Sequence, residues 1–278
     1  MRVLIFGATG MLGQDLLPAF AGDEAVGLAS RDTDLRDANQ VLKAVQQVQP
    51  ECIILSAAYT DVDGCESNQE QAFAVNRDGA IHAANAARQM GVRLIFLSTD
   101  YVFDGKKGTP YEVGDPRNPI NVYGRTKAEA EVRLLEILPE CCIVRTSWLF
   151  GKGGKCFPDT MLRLAKTRSE LRVVDDQRGC PTFTVDLAQA IAKLAHKKAT
   201  GIIHVTNRGE CSWYEFAREI LTKNIPSTVV QPITTAEFPR PAQRPSYSVL
   251  SAASLRSYQV ELPSWQDALG RYLAQRAD

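Results

Sequence analysis

The chain has 278 residues, 45% of them hydrophobic and 23% charged. That is a globular composition, and it excludes a disordered, collagen-like or mucin-like chain. The 32 basic and 32 acidic side chains cancel, so nothing in the overall charge draws the protein to nucleic acid or to an anionic bilayer.

The first half alternates short apolar runs with longer amphipathic stretches. Val3–Phe6 reads as a buried strand, followed at once by glycines. Residues 13–20 carry apolar side chains at helical spacing, and Ala25–Leu28 reads as a second strand. Ala38–Val48 is a predicted helix that Pro50 ends. Cys52–Leu55 is a third strand, Gln69–Met90 one long helix stopped by Gly91, and Leu94–Leu97 a fourth strand. A helix over Val122–Leu138, stopped by Pro139, leads to a fifth strand at Cys142–Val144. Past residue 150 prolines multiply. Strand-like pieces at Leu171–Val174 and Ile202–Val205 alternate with helices at Val185–His196, Trp213–Lys223 and Trp265–Ala274.

Five strand–helix repeats predict an α/β protein, a Rossmann-like doubly wound parallel sheet with helices on both faces. Strands covered on both faces are near-continuous apolar runs, as these are. The expected division is a dinucleotide-binding domain over 1–150 and a smaller α/β substrate region over 151–278, parts of which return to the sheet. The seven cysteines (52, 65, 141, 142, 156, 180 and 211) form no C-x-x-C pair. They read as small buried apolar residues in a reducing compartment. The first apolar run is too short for a secretion signal, and no later run spans a bilayer. The expectation is a soluble cytoplasmic protein, monomeric or homodimeric.

In such sheets ligands bind beyond the carboxyl ends of the strands. Gly7-Ala8-Thr9-Gly10-Met11-Leu12-Gly13 lies there, between the first strand and the first helix. Glycines permit the tight turn, and the helix N-terminus offers free N–H groups to a pyrophosphate. A glycine-rich string alone is a weak signal; its place in a repeated β/α pattern makes it a dinucleotide site. The second strand ends in Ser30-Arg31-Asp32-Thr33-Asp34-Leu35. Ser30 and Arg31 favour the 2′-phosphate of NADP(H), while the nearby Asp34 leaves NAD(H) open. Ala57-Ala58-Tyr59-Thr60 follows the third strand, where small residues let a flat ring lie against the backbone.

The fourth strand runs into Ser98-Thr99-Asp100-Tyr101-Val102-Phe103-Asp104-Gly105, and the next helix opens on Tyr123-Gly124-Arg125-Thr126-Lys127. Tyr123 and Lys127 sit at i and i+4 on one face. Such a pair is usually a surface contact. After the fourth strand of a dinucleotide fold it reads as a general acid whose pKa an adjacent ammonium lowers.

With these motifs the chain resembles the extended short-chain dehydrogenase/reductases, and among them the dTDP-4-dehydrorhamnose reductase family. The likeness extends to Ala74-Val75-Asn76, Arg145-x-x-Trp148, Asp176-Gln177-x-Gly179-x-Pro181-Thr182 and Arg244-Pro245. It implies a reductase that transfers a hydride from NADPH or NADH to the 4-keto group of a dTDP-linked deoxy-sugar. Thr99, Tyr123 and Lys127 would be catalytic, and Thr99, Asp100, Tyr101, Trp148 and Arg244 would meet the sugar nucleotide. Gly7, Gly10, Met11, Leu12 and Gly13 would hold the cofactor, with Ser30, Arg31, Asp34, Leu35, the stretch Ala57, Ala58, Tyr59, Thr60, and Tyr123 and Lys127. No metal constellation is visible. Nucleotide-sugar dehydratases carry Asp-Glu after the threonine, where this chain has Asp100-Tyr101. The alternatives are a different nucleotide-sugar reductase or epimerase and a non-catalytic NADP-binding regulatory subunit.

Overall fold

A computed structural model describes residues 1–277. Six parallel strands form the central sheet: β1 (Arg2–Phe6), β2 (Glu24–Leu28), β3 (Cys52–Leu55), β4 (Arg93–Thr99), β5 (Cys142–Thr146) and a sixth at Gly201–His204. Their order from one edge is sixth, β5, β4, β3, β1, β2. The chain winds outward from β1 to β2, then returns to β3 on the other side. The switch point therefore lies between β1 and β3, where open α/β sheets bind ligands. The sixth strand pairs with β5, Ile203 opposite Val144, so a segment of the second half completes the sheet.

The helices in order are α1 (Met11–Ala19), α2 (Ala38–Val48), α3 (Val62–Ser67), α4 (Gln69–Phe73), α5 (Gly79–Met90), α6 (Val122–Ile137), α7 (Phe157–Ala165), α8 (Thr184–His196), α9 (Trp213–Asn224), α10 (Ala253–Arg256) and α11 (Trp265–Ala277). One face of the sheet packs on α1 and α8, with Leu16, Leu187 and Ile191 fully buried. The other packs on α2, α5 and α6 through Val41, Ala83 and Leu134. A third core, built on Phe150, Phe183, Phe216 and Trp265, joins α7, α9 and α11. All seven cysteines are buried and unpaired. No described helix is long and apolar enough to cross a membrane.

The single long helix expected over residues 69–90 is broken. A π-helical turn, Ala74–Asp78, separates α4 from α5. Such turns are often found at functional sites. This one points the Asn76 amide inward, where Oδ1 accepts from the Tyr59 N–H at 2.7 Å and Nδ2 donates to Tyr59 O and Thr126 Oγ1. The sequence reading placed no strand at Val229–Ile233, a segment that contains Pro232. Among the described residues it pairs with Glu170–Val174 alone, and a proline is tolerated on an edge strand.

Candidate active site

A cleft of about 870 Å³ runs across the carboxyl ends of β1 to β5. At its centre the turn after β1 meets the turn after β3. Gly7 has φ +89°, and a Cβ there would stand 2.6 Å from Ala57 N; a Cβ on Gly13 would stand 2.1 Å from Gly7 O. Helix α1 begins at Gly10 with no side-chain cap. Its first intrahelical bond is Gln14 N–H to Gly10 O, so the N–H groups of Met11, Leu12 and Gly13 remain for a ligand. A side-chain-free cradle with a positive helix end fits a pyrophosphate.

Gly7, Gly10, Met11, Leu12 and Gly13 all line the cleft, as do Ala57, Ala58 and Thr60. Tyr59 does not. Its backbone is held by Asn76, and its ring packs beside Cys65, Val122 and Tyr123. At the end of β2, Ser30, Asp34 and Leu35 line the wall, but Arg31 stays outside with its side chain 83% exposed. The arginine in the wall is Arg36, which sequence reasoning passed over. Its guanidinium forks onto Asp34 with bonds of 2.6 to 3.0 Å. No periodicity distinguishes two arginines in one irregular loop.

Beyond β4 the wall is formed by Thr99, Asp100 and Tyr101, and α6 adds Tyr123 and Lys127. Asn121 caps α6 by accepting the Gly124 N–H at 2.8 Å, and its amide donates to Gln243 O. Glu66 accepts the Val122 N–H. Three separate segments thus fix the helix start that carries Tyr123. Thr99 Oγ1 donates to Asp100 Oδ1 at 2.9 Å and accepts the Tyr101 N–H. Burial pushes the Asp100 carboxyl up to about 7, against hydrogen bonds from Ser248 and Thr99. Its Oδ2 and the Thr146 hydroxyl are buried with no partner, and both residues line the cleft. Unsatisfied polar atoms there suit a hydroxyl-bearing ligand.

The Tyr123 phenol does not shift in the direction expected from Lys127. Burial drives the Tyr123 phenol up from its usual range, the Asp100 charge adds to this, and a Thr99 hydrogen bond opposes it. Tyr123 is half-buried in the cleft wall, and a phenolate is costlier to form there than in bulk water. Lys127 is itself buried; its ammonium lies 4.1 Å from the centre of the Phe96 ring. Burial lowers its pKa to about 7, and Glu131 opposes that shift.

At the far end Trp148 lines the cleft with φ +48°, a left-handed conformation that costs a non-glycine residue ~1–3 kcal/mol and gathers at functional sites. Its indole lies flat on Trp213, with ring centres 3.5 Å apart and planes within 5°. Trp213 and Lys155 also line this end; sequence reasoning placed Trp213 only as a helix start. Arg244 does not reach the wall. It pairs with Asp63 and donates to Ala242 O, and its positive charge opposes the burial that drives up the phenol of Tyr101, which does line the cleft. Among the described residues no cluster of metal-ligating side chains occurs.

The chain is similar in sequence and in fold to known proteins. A spore coat polysaccharide biosynthesis protein of Bacillus subtilis is 40% identical, covering 99% of this chain and 98% of its own. The dTDP-4-dehydrorhamnose reductase of Sinorhizobium fredii is 39% identical, covering 98% and 96%. The crystal structure of the Bacillus anthracis dTDP-4-dehydrorhamnose reductase in complex with NADP is 39% identical, covers 99% of both chains and superposes with a TM-score of 0.95. Over residues 1–277 the chain matches the RmlD substrate binding domain family, and it belongs to that family.

Proposed function

We propose that this protein reduces the 4-keto group of dTDP-4-dehydro-L-rhamnose with NADPH, giving dTDP-L-rhamnose. The observation that carries the reading is the meeting of Thr99, Tyr123 and Lys127 in one cleft with the open N-terminus of α1. The two similar reductases named above, one of them bound to NADP, support it. When bound, the reduced nicotinamide supplies the hydride that reaches C4 of the sugar.

The chain's own groups supply the rest. The N–H groups of Met11, Leu12 and Gly13 hold the cofactor pyrophosphate, and Ala57, Ala58 and Thr60 flank the nicotinamide half. Ser30 and Arg36 take the 2′-phosphate of the adenosine ribose, Arg36 by exchanging its Asp34 bonds for phosphate. Tyr123, kept protonated by burial, gives its proton to the sugar O4. Thr99 orients that oxygen, and Lys127 bonds the nicotinamide ribose. Asp100 and Tyr101 meet sugar hydroxyls, and Trp148 lies against the nucleotide-sugar at the far end.

The test is NADPH oxidation by the purified protein over a panel of dTDP- and UDP-linked 4-keto-6-deoxy sugars. Turnover should be fastest with the dTDP-linked L-lyxo compound. Cofactor binding without turnover on any member would instead support the regulatory-subunit reading.

A further inference from the structure

Behind the catalytic wall lies a buried charged cluster that the reaction as described does not use. Glu131, on α6, is fully buried, as is Arg145 on β5. Each Glu131 oxygen accepts two bonds. Oε1 takes Ser98 Oγ at 2.6 Å and Arg145 Nε at 2.9 Å; Oε2 takes Arg145 Nη2 at 2.6 Å and Arg117 Nε at 2.5 Å. Ser98 is the β4 residue that immediately precedes Thr99. Glu131 follows Lys127 by four residues on α6, and Lys127 follows Tyr123 by four, so the three lie along one stripe of the helix.

We propose that Glu131 is a positioning residue of the reaction: it ties the strand end carrying Thr99 to the helix carrying Tyr123, and it holds the charge on Lys127 one turn away. The proposal rests on the reductase reading above.

The charges around Lys127 make the second role testable. Its own helix presents Tyr123 and Glu131, and the turn after β4 presents Asp100. Strand β5 brings Arg145, and the loop over 103–121 brings Arg117. His204 of the sixth strand lies 3.3 Å from Arg145 Nη1. Burial, then Arg145, drives its pKa down to about 3, so it is neutral. Glu129 faces away and pairs with Arg77. Glu131 is thus the carboxylate that the two arginines bond, on the side of Lys127 away from Asp100 and the cleft. Its negative charge favours the protonated lysine, and each arginine weakens that effect.

A residue that served only to hold the core together would act on stability. A charge-holding residue makes two substitutions act in opposite directions on Lys127. Removing the carboxylate charge in Glu131→Gln should move the Lys127 titration down by about one pH unit or more. Removing the opposing charge in Arg117→Met should move it up by ~0.5 unit or more. Arg117 is a quarter exposed on a loop, and in that variant Ser98 and both Arg145 bonds still satisfy Glu131.

The titration is read by brief acetylation with limiting acetic anhydride across pH, with the modified Lys127 peptide quantified by mass spectrometry. The alkaline limb of kcat/KM should move with it. Opposite shifts support the proposal, and an upward shift in Arg117→Met alone suffices if Glu131→Gln is insoluble. Unmoved midpoints, or shifts of the same sign, overturn it. The labelling needs no turnover, so an inactive wild-type chain would defeat the reductase reading and still leave this proposal decidable.

Discussion

The two ends of the cleft are built differently. The cofactor end is mostly backbone: the turn after β1, the uncapped start of α1 and the small residues after β3. These pieces sit at consecutive strand ends, so the sheet itself brings them together. The sugar end is side chain on side chain. Trp148 is held in a left-handed conformation against Trp213 of α9, and Arg244 arrives from a late loop to pair with Asp63 with its charge near the Tyr101 phenol. One fold can keep the first end constant while the second changes with the substrate. Between them stand Thr99, Tyr123 and Lys127, with the Glu131 cluster behind them bonding Ser98 and Arg145.

Substitutions should separate these ends, beginning with the largest effect. Tyr123→Phe removes the proton donor between them and should lower kcat by ~10²–10⁴-fold while leaving NADPH affinity, read by fluorescence titration, unchanged. Arg145→Leu leaves the Glu131 carboxylate buried and short of its main partner; loss of half of such a pair costs ~3–5 kcal/mol of stability, visible in urea unfolding. At the cofactor end Arg36→Ala should weaken NADPH binding by roughly tenfold or more, through loss of charge-assisted bonds to the phosphate, and spare NADH. Arg31→Ala should change neither, because that side chain stands outside the cleft; the reverse pattern would return the 2′-phosphate to Arg31. At the sugar end Trp213→Ala removes an aromatic stack worth ~0.5–1.5 kcal/mol. It should raise KM for the sugar nucleotide up to about tenfold with cofactor binding unaltered.

What could be read from the amino-acid sequence follows the same division. Apolar runs and glycine spacing report strands, turns and helix starts, because those are set by neighbours in the chain. The parallel sheet, the Gly7–Gly13 cradle and the helix carrying Tyr123 and Lys127 were therefore legible. The choice between Arg31 and Arg36 was not, since the conformation of an irregular loop leaves no periodic trace. Nor was the Trp148–Trp213 stack, which forms only after α9 docks in the third core. The π turn at Ala74–Asp78 hid inside a helical pattern that it barely disturbs. The direction in which the Tyr123 phenol shifts was not legible for a related reason: spacing gives proximity to Lys127, whereas burial, the larger effect, belongs to the assembled fold.

The central claim is a direct hydride transfer to the sugar C4 with Tyr123 donating the proton. It is tested most directly with NADPH carrying deuterium at the transferable C4 position of its nicotinamide. The dTDP-L-rhamnose formed should carry one deuterium at C4 of the sugar, seen by NMR and mass spectrometry, and Tyr123→Phe should slow its appearance. Product lacking that deuterium, or sugar altered without oxidation of the cofactor, would contradict the account.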